Sequence, residues 1–156
     1  MHSAVSLIMI TTREAVAEDA VAITELTHQL GYNISLEQTL QNIHSLQQSN
    51  DHRVFVAADE KVIGWIAVSY NISLESSPTC EIRGLVVAEE FRNKGIGKML
   101  IADVKRWSKG KGVTRLRLRC NTKRTDAHRF YTVAGFTEIK QQKVFEILSE
   151  VSEATK

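Results

Sequence analysis

A strand–helix–strand unit in the second half of the chain constrains the fold most strongly. Cys80–Ala88 is dense in Ile, Leu and Val, which is typical of a strand buried on both faces. Gly95–Gly110 carries apolar residues at helical spacing, and Thr114–Cys120 alternates Arg with Leu, as in a strand with one cationic face. Because a helix separates them, the two strands are predicted to be parallel neighbours in one sheet.

The remaining segments predict further strands and helices around this unit. They are the strand Leu7–Thr12, the helices Asp19–Gly31 and Ser35–Gln48, the hairpin strands Val54–Ala58 and Val62–Tyr70, the helix Asp126–Ala134, and a closing strand pair, Phe136–Lys140 and Lys143–Leu148. Ser35 with Gln38 predicts a capping box at the start of the second helix. The order β-α-α-β-β-β-α-β-α-β-β predicts an α/β fold with a mixed (α+β) sheet.

Length and composition fit a single domain over residues 1–156. The chain is 43% apolar and 24% charged, close to the mix of an ordinary globular protein. The apolar run Ala4–Ile10 is too short to span a bilayer and has no cationic leader, so we expect a cytoplasmic protein without a membrane segment. Cys80 and Cys120 show no metal-ligand spacing and no HExxH motif occurs, so we expect no metal site.

Positive charge is concentrated in one segment, although the whole chain is nearly balanced. The formal net charge of +2 argues against nucleic acid as a partner. Between Lys105 and Arg129, however, ten basic residues stand against one acid, Asp126. This excess indicates an anionic ligand or a solvated face, and the arginines that alternate along Thr114–Cys120 favour a solvated strand face.

The turn between the first parallel strand and its helix has the character of an anion site. A helix N-terminus exposes unpaired N–H groups, and Gly95 and Gly97 let a ligand approach the backbone. Arg92, Lys94 and Lys98 add positive charge. The segment is neither a Walker A loop nor a dinucleotide fingerprint, because the spacing of neither motif is present. The alternative is a glycine-relieved turn with solvated charges.

Two motifs together resemble the GCN5-related N-acetyltransferase (GNAT) superfamily. Arg92-Asn93-Lys94-Gly95-Ile96-Gly97 matches that family's [Q/R]-x-x-G-x-[G/A] motif, and the preceding Glu81–Val87 is similar to the family's fourth strand. Asn121 followed by Ala127–Phe136 resembles the second family signature. The element order agrees as well, so the resemblance extends over residues 8–148.

The resemblance implies acetyl-coenzyme A (acetyl-CoA) as acyl donor, bound where the two parallel central strands splay apart. Leu85 and Val87 are expected to offer backbone groups to its pantetheine arm, as an added strand does. Backbone amides of the loop are expected to wrap the pyrophosphate. The expected cofactor-binding residues are Leu85, Val86, Val87, Arg92, Asn93, Lys94, Gly95, Ile96, Gly97, Lys98 and Asn121.

Tyr131 and Glu81 are the candidate catalytic residues. The resemblance places Tyr131 beside the thioester sulfur, and a phenol with an ordinary pKa of about 10 can protonate the departing thiolate. Glu81 is the candidate base for the acceptor ammonium, although a glutamate at this position can also serve as a hydrogen-bonding group alone. His128, on the same helical face as Tyr131, is a weaker candidate than Glu81.

The implied activity is acetyl transfer to a primary amine of a small molecule or peptide, by direct attack in a ternary complex. The alternative is a sensor module that binds acetyl-CoA without catalysis; the presence of Tyr131 and Glu81 argues against it. The two N-terminal helices carry no pattern that identifies the acceptor. A homodimer is compatible with this interpretation, whereas nucleic acid and membrane are not expected as partners.

Overall fold

The computed structural model describes residues 9–149 of the 156-residue chain. The chain divides after Arg119 into two compact units. The first holds a sheet with its helices, and the second holds one helix and the segment that follows it. That residues 1–156 act as one domain stays a prediction.

Over residues 9–119, the first unit contains five strands and three helices. They are β1 (Thr11–Glu14), α1 (Ala20–Gln29), α2 (Leu36–Gln48), β2 (His52–Ala58), β3 (Val62–Asn71), β4 (Thr79–Val87), α3 (Ile96–Gly110) and β5 (Leu116–Leu118), with 3-10 turns at Ala17–Asp19 and Glu89–Phe91. The Ser35 side chain accepts a hydrogen bond from the Gln38 N–H at 3.0 Å, which is one half of the predicted capping box; the Gln38 side chain donates to the side-chain oxygen of Asn42 at 3.0 Å and does not complete the box. β5 is shorter than predicted. β1 begins and ends later than the predicted strand Leu7–Thr12, since residues 9 and 10 are not in a strand, and residues 7 and 8 lie outside the described residues.

The five strands form one mixed sheet in the order β1-β2-β3-β4-β5. The pairs from β1 to β4 are antiparallel, whereas β4 and β5 are parallel. Because α3 connects the parallel pair, the predicted strand–helix–strand unit and the mixed α/β fold are confirmed.

Both faces of this sheet are covered. Val56 and Ala57, adjacent in β2, project from opposite faces of the sheet and are both fully buried (0% exposed); Ile66 of β3 lies on the face of Ala57. On the Ile66 face, Ile96 and Leu100 of α3 lie 3.6 and 3.5 Å from where a Cβ on Gly64 would stand. The glycine therefore lets α3 approach the sheet closely.

An ion pair connects β1 to the residue directly before α1. Arg13 donates to both carboxylate oxygens of Asp19, at 2.8 and 2.9 Å, and the Val16 N–H donates to the same carboxylate at 2.8 Å. The hydrogen bonds from Arg13 hold the pKa of the buried Asp19 carboxyl below its ordinary value. The pair therefore stabilises the folded chain as long as Asp19 is ionised.

The second unit contains α4 (Thr125–Val133), the short helix that the sequence predicts. Gly135 follows the helix with a φ of +104°, a left-handed conformation that glycine adopts without strain. The closing strand pair predicted over Phe136–Lys140 and Lys143–Leu148 is not formed, since residues 136–149 contain neither strand nor helix. Side chains of this segment, such as that of Phe145 (87% exposed), bury too little surface to stabilise pairing of residues 136–149 into β-strands.

Candidate active site

The parallel strands β4 and β5 pair over only three residues of each. Residues 80–82 of β4 pair with Leu116–Leu118 of β5. Beyond residue 82, β4 pairs within the first unit with β3 alone. We call residues 80–82 the paired half of β4 and residues 83–87 the open half, because one edge of the latter has no neighbouring strand among residues 9–119.

The backbone groups of Leu85 and Val87 face the open edge. The Ala88 N–H donates to the Ile63 carbonyl of β3 at 2.8 Å. Successive residues of a strand turn their backbone groups to opposite sides, so Ala88 and Val86 face β3 while Val87 and Leu85 face away from it. The two residues predicted to pair with pantetheine thus have the orientation that such pairing requires, whereas the backbone of Val86 is committed to β3.

A β-bulge separates the two halves of β4. Arg83, between Ile82 and Gly84, is the extra residue with no partner in β3. A bulge bends its strand and increases the twist, which accounts for the divergence from β5 directly after residue 82. Gly84 lies under the ring of Trp65, where an added Cβ would stand 2.6 Å from the ring atom Cη2.

The loop after β4 enters α3 through two left-handed residues. Asn93 has a φ of +63°, and Gly95, directly before the helix, has a φ of +82°. In the part of the chain that the structure describes, no side chain caps this helix, so the N–H groups of its first turn have no side-chain partner; Ile96 and Gly97, which begin the helix, are buried. Arg92, Lys94 and Lys98 are exposed around the turn. An anion would therefore meet a positive helix end and three cationic side chains.

Arg92 connects this loop to the open half of β4. Its Nε donates to the Val87 carbonyl at 3.2 Å. That carbonyl is one of the groups on the open edge, so a ligand that pairs with it as an added strand either shares the oxygen with Arg92 or displaces the Arg92 side chain.

Glu81, in the paired half, contacts two arginines. Its Oε2 lies 3.1 Å from Nε of Arg119 and 3.6 Å from a terminal nitrogen of Arg83. The Glu81 side chain is 11% exposed, whereas those of Arg119 and Arg83 are 69% and 57% exposed. Arg117 pairs with Glu81 across the two strands and projects from the same face. The carboxylate predicted to act as a base is therefore already engaged by two guanidinium groups.

Tyr131, the predicted acid, lies on α4 in the second unit. Its ring makes edge-to-face contacts with Phe130 (5.4 Å between centroids) and Phe136 (5.9 Å). Burial raises the pKa of the Tyr131 phenol above its ordinary value of 10.0; the charge on ionised Cys120 adds to this, and Arg124 opposes it. At neutral pH the phenol is protonated, which is the form that can give a proton to a thiolate.

Asn121, a predicted cofactor contact, begins the turn that leads to α4. Its side-chain oxygen accepts from the Lys123 N–H at 2.9 Å, and its carbonyl oxygen lies 2.8 Å from Nε2 of His128. The side-chain oxygen is thus hydrogen-bonded within the turn, and the amide NH₂ group of Asn121 is the part that would contact a ligand. His128 is engaged by backbone, in keeping with its weaker candidacy as a base.

A separate cavity of about 310 Å³ lies at the end of the sheet where β3 ends and β4 and β5 begin. Lining residues are Tyr70, Ser77, Pro78, Lys111, Gly112, Val113, Thr114 and Arg115. The Lys111 ammonium lies 5.5 Å from the ring centroids of both Tyr70 and Trp107, so cation–π contacts hold it in place. None of the predicted site residues lines this cavity.

Neither a metal-ligand cluster nor a membrane-spanning helix occurs in residues 9–149. Over this range no three His, Cys, Asp or Glu side chains are grouped so that they could hold a metal ion. No helix in the same range has the length and apolar character to cross a bilayer. The lack of a metal in the reaction and the cytoplasmic location stay predictions.

The open half of β4 and the uncapped start of α3 fit acetyl-CoA. The first offers a strand edge to the amides of pantetheine, and the second offers N–H groups and cations to the pyrophosphate. The family model described as the Acetyltransferase (GNAT) family matches residues 17–136. The chain belongs to the GNAT family. This GNAT protein is therefore an N-acetyltransferase with acetyl-CoA as acyl donor.

Bacterial acetyltransferases and a solved structure cover most of the chain. An aminoglycoside N(6')-acetyltransferase type 1 of Stenotrophomonas maltophilia is 27% identical over 148 residues, 91% of this chain and 95% of that protein. An aminoalkylphosphonate N-acetyltransferase of Salmonella typhimurium is 29% identical over 129 residues, 81% and 84% of the two chains. The structure of the aminoglycoside N-acetyltransferase AAC(6')-Iy in complex with CoA superimposes with a TM-score of 0.80 at 24% identity and covers 88% of this chain and 94% of that one. At that identity the structural likeness shows a shared fold.

Two features of the site were not predicted from the sequence. The bulge at Arg83 has no local signal, because an ordinary polar residue occupies it. The contact of Arg119 with Glu81 depends on the register of β4 against β5. The alternating arginines were the available signal, but their pattern indicated a solvated face rather than an ion pair.

Proposed function

We propose that this GNAT protein transfers the acetyl group of acetyl-CoA to a primary amine of a small molecule or peptide by direct attack in a ternary complex. The observation that carries the proposal is the open half of β4, directly ahead of a helix N-terminus that no described side chain caps. The relatives named for an aminoglycoside and an aminoalkylphosphonate support a small-molecule amine as acceptor.

Binding of the donor is assigned to backbone groups on two adjacent elements. Leu85 and Val87 would pair with the pantetheine arm as a neighbouring strand would. The first N–H groups of α3, at Ile96 and Gly97, would hold the pyrophosphate, with Arg92 beside them. Contacts from Asn93, Lys94, Gly95, Lys98 and Asn121 belong to the same proposal, whereas the predicted contact of Val86 is not retained, because this residue is buried and its backbone is turned to β3.

Acetyl-CoA supplies an acetyl group activated as a thioester. A bond forms between the acceptor nitrogen and the carbonyl carbon while the carbon–sulfur bond breaks; the amine loses one proton and the thiolate gains one. The protein therefore has to hold the amine in reach of the thioester and to accept and deliver a proton.

Tyr131 is assigned to proton delivery. Its raised pKa keeps the phenol protonated over the whole neutral range, so the acid is present when the thiolate leaves. The proton of the acceptor ammonium goes to Glu81 or to a water chain. Both arginine contacts of Glu81 are made by Oε2, so Oε1 is the oxygen that would take the proton if Glu81 acts as the base.

Free-thiol release with a panel of amines tests the proposal. Tyr131→Phe should lower kcat on the order of 10²–10⁴-fold, the usual contribution of a positioned acid, with acetyl-CoA affinity almost unchanged. A variant with full turnover would show that another group delivers the proton.

Initial-velocity kinetics test whether the acetyl group is transferred directly from acetyl-CoA to the amine. Direct transfer predicts intersecting lines in initial-velocity plots and no release of thiol in the absence of an amine. Cys120→Ala should keep most of the turnover. A dead Cys120→Ala enzyme, or a burst of thiol without acceptor, would point instead to an acetyl-cysteine intermediate.

A further inference from the structure

We propose that the acceptor carries an anionic group, a carboxylate or a phosphonate, close to the amine that is acetylated, and that Arg83 and Arg119 bind this group. The inference rests on the proposed function and specifies its acceptor class. The observation behind it is the cluster of arginines around Glu81, at the point where β4 and β5 separate.

The acceptor has to reach this point of separation. The open edge runs from Val87, beside the loop, to Arg83, beside the paired half, over about 13 Å at roughly 3.3 Å per residue. A donor whose phosphates lie at α3 and whose arm follows this edge brings its thioester toward Arg83. An amine must approach a thioester carbon to about 3–3.5 Å before it can react, so the groups around Arg83 face the acceptor.

Those groups carry a net positive charge. Arg83, Arg117 and Arg119 stand around a single carboxylate, that of Glu81. Glu81 and Arg117 are directly paired across β4 and β5, and Arg119 follows Arg117 by two residues, so all three project from one face of the sheet. The carboxylate neutralises one of the three cations, and two positive charges are left over.

The two guanidinium groups that contact Glu81 keep donors free for a ligand. Arg119 uses its Nε toward Glu81, which leaves its terminal nitrogens unused by that contact. With side chains 69% and 57% exposed, Arg119 and Arg83 can present N–H groups to solvent. Their contacts with the buried Glu81 restrict their orientation, and a planar guanidinium binds two oxygens of a carboxylate or phosphonate at once.

The same charges disfavour an acceptor with several ammonium groups. Such a molecule needs carboxylates around the reacting amine, and Glu81 is already paired. We therefore expect this protein to use acceptors unlike those named for its aminoglycoside-modifying relatives.

Four amines that differ in charge test whether the protein prefers an anionic acceptor. The probes are 3-aminopropylphosphonate, β-alanine, propylamine without an anionic group, and kanamycin as a polycation. Thiol release should give the two anionic amines a kcat/KM on the order of tenfold or more above propylamine, which itself exceeds kanamycin. The ratio of the phosphonate to the carboxylate shows which anion the arginines prefer.

Variants assign the preference to the arginines. Arg119→Gln and Arg83→Gln should each reduce the ratio of kcat/KM for the anionic amines to kcat/KM for propylamine about tenfold. Lys61→Gln, which removes one exposed positive charge in the turn before β3, should leave the preference unchanged. Calorimetric binding of 3-aminopropylphosphonate to the CoA-saturated protein should weaken on the order of tenfold in Arg119→Gln, with CoA affinity unaffected.

Equal use of propylamine and the anionic amines, or a preference for kanamycin, would overturn the inference while leaving acetyl transfer intact. An unchanged preference in both arginine variants would also overturn it. Failure of CoA to bind the wild-type protein would instead contradict the proposed function itself.

Discussion

The paired and open halves of β4 belong to one strand but have different surroundings. The paired half has β3 on one side and β5 on the other, and its residues are buried, with Cys80 at 0% and Ile82 at 4% exposed. The open half has β3 alone within the first unit, and Arg83, Gly84 and Leu85 are partly or fully exposed.

This difference separates two tasks within one element. In the paired half, backbone hydrogen bonds are satisfied inside the sheet, so its residues contribute mainly to stability. In the open half, the backbone groups of Leu85 and the N–H of Val87 are left for water or for a ligand that adds a strand, while the Val87 carbonyl accepts from Arg92. Substitutions in the two halves should therefore have different consequences.

The largest expected effect is a loss of stability from the paired half. Ile82→Ala removes a buried side chain and should lower the free energy of unfolding by about 2–5 kcal/mol in urea denaturation. The fraction that remains folded should bind acetyl-CoA with unchanged affinity. Leu85→Ala, in the more exposed open half, is the matched comparison and should cost less; an equal cost would show that the two halves share one role.

The next largest effect concerns binding at the end of the open half. Gly97→Leu places a bulky side chain in the first turn of α3 and should weaken acetyl-CoA binding on the order of 100-fold, because the pyrophosphate can no longer reach the amides. The thermal shift caused by acetyl-CoA should disappear with it. Gly110→Ala is the control on the same helix, since its Cβ would meet nothing within 4 Å. A folded Gly97→Leu protein with wild-type affinity would mean that the phosphates bind elsewhere.

Gly84→Ala tests the boundary between the halves. The new methyl group would collide with the Trp65 ring, and such overpacking should lower the free energy of unfolding by about 1–3 kcal/mol. Because Gly84 follows the bulge, acetyl-CoA affinity should fall as well. The double variant Gly84→Ala/Trp65→Phe should recover part of both losses, and a simple addition of the two single effects would rule out the collision as the cause.

The smallest expected effect is that of a substitution at Asp19. Because Asp19 lies outside β4, this variant tests whether reduced stability alone weakens acetyl-CoA binding. Asp19→Asn should lower the free energy of unfolding at pH 7 by about 1–2 kcal/mol, because Arg13 loses its carboxylate partner. Since folding lowers the Asp19 pKa, its contribution is complete above the unfolded pKa of about 4 and is lost as pH falls through the folded value.

The difference between wild type and Asp19→Asn should therefore shrink in acid denaturation series below about pH 4. Acetyl-CoA affinity should be the same in both proteins. A difference of the same size whether the Asp19 carboxyl is ionised or protonated in the folded protein would assign the effect to packing rather than to the ion pair.

Much of the fold could be predicted because its signals are local. The helix α3 has apolar residues at helical spacing, and a helix between two strands leaves little choice but a parallel crossover. The segment after Gly135 shows where local signals fail. Its apolar residues predict strands, but a strand forms only where a partner edge accepts it, and residues 136–149 have no ladder.

The candidate site divides in the same way. The loop before α3 was predictable because its glycines and cations follow one another in the chain. The contacts of Arg92 with Val87 and of Arg119 with Glu81 were not, because they depend on strand register and on a bulge of one residue. The role of Glu81 is the clearest case, since the sequence shows the carboxylate but not the two arginines around it.

Hydrogen exchange at two backbone amides tests the central claim most directly. If acetyl-CoA pairs with the open half of β4, the amides of Leu85 and Val87 should exchange more slowly at saturating CoA, while the amide of Val86, already turned to β3, should change little. Binding of CoA without any protection at Leu85 and Val87 would contradict the account.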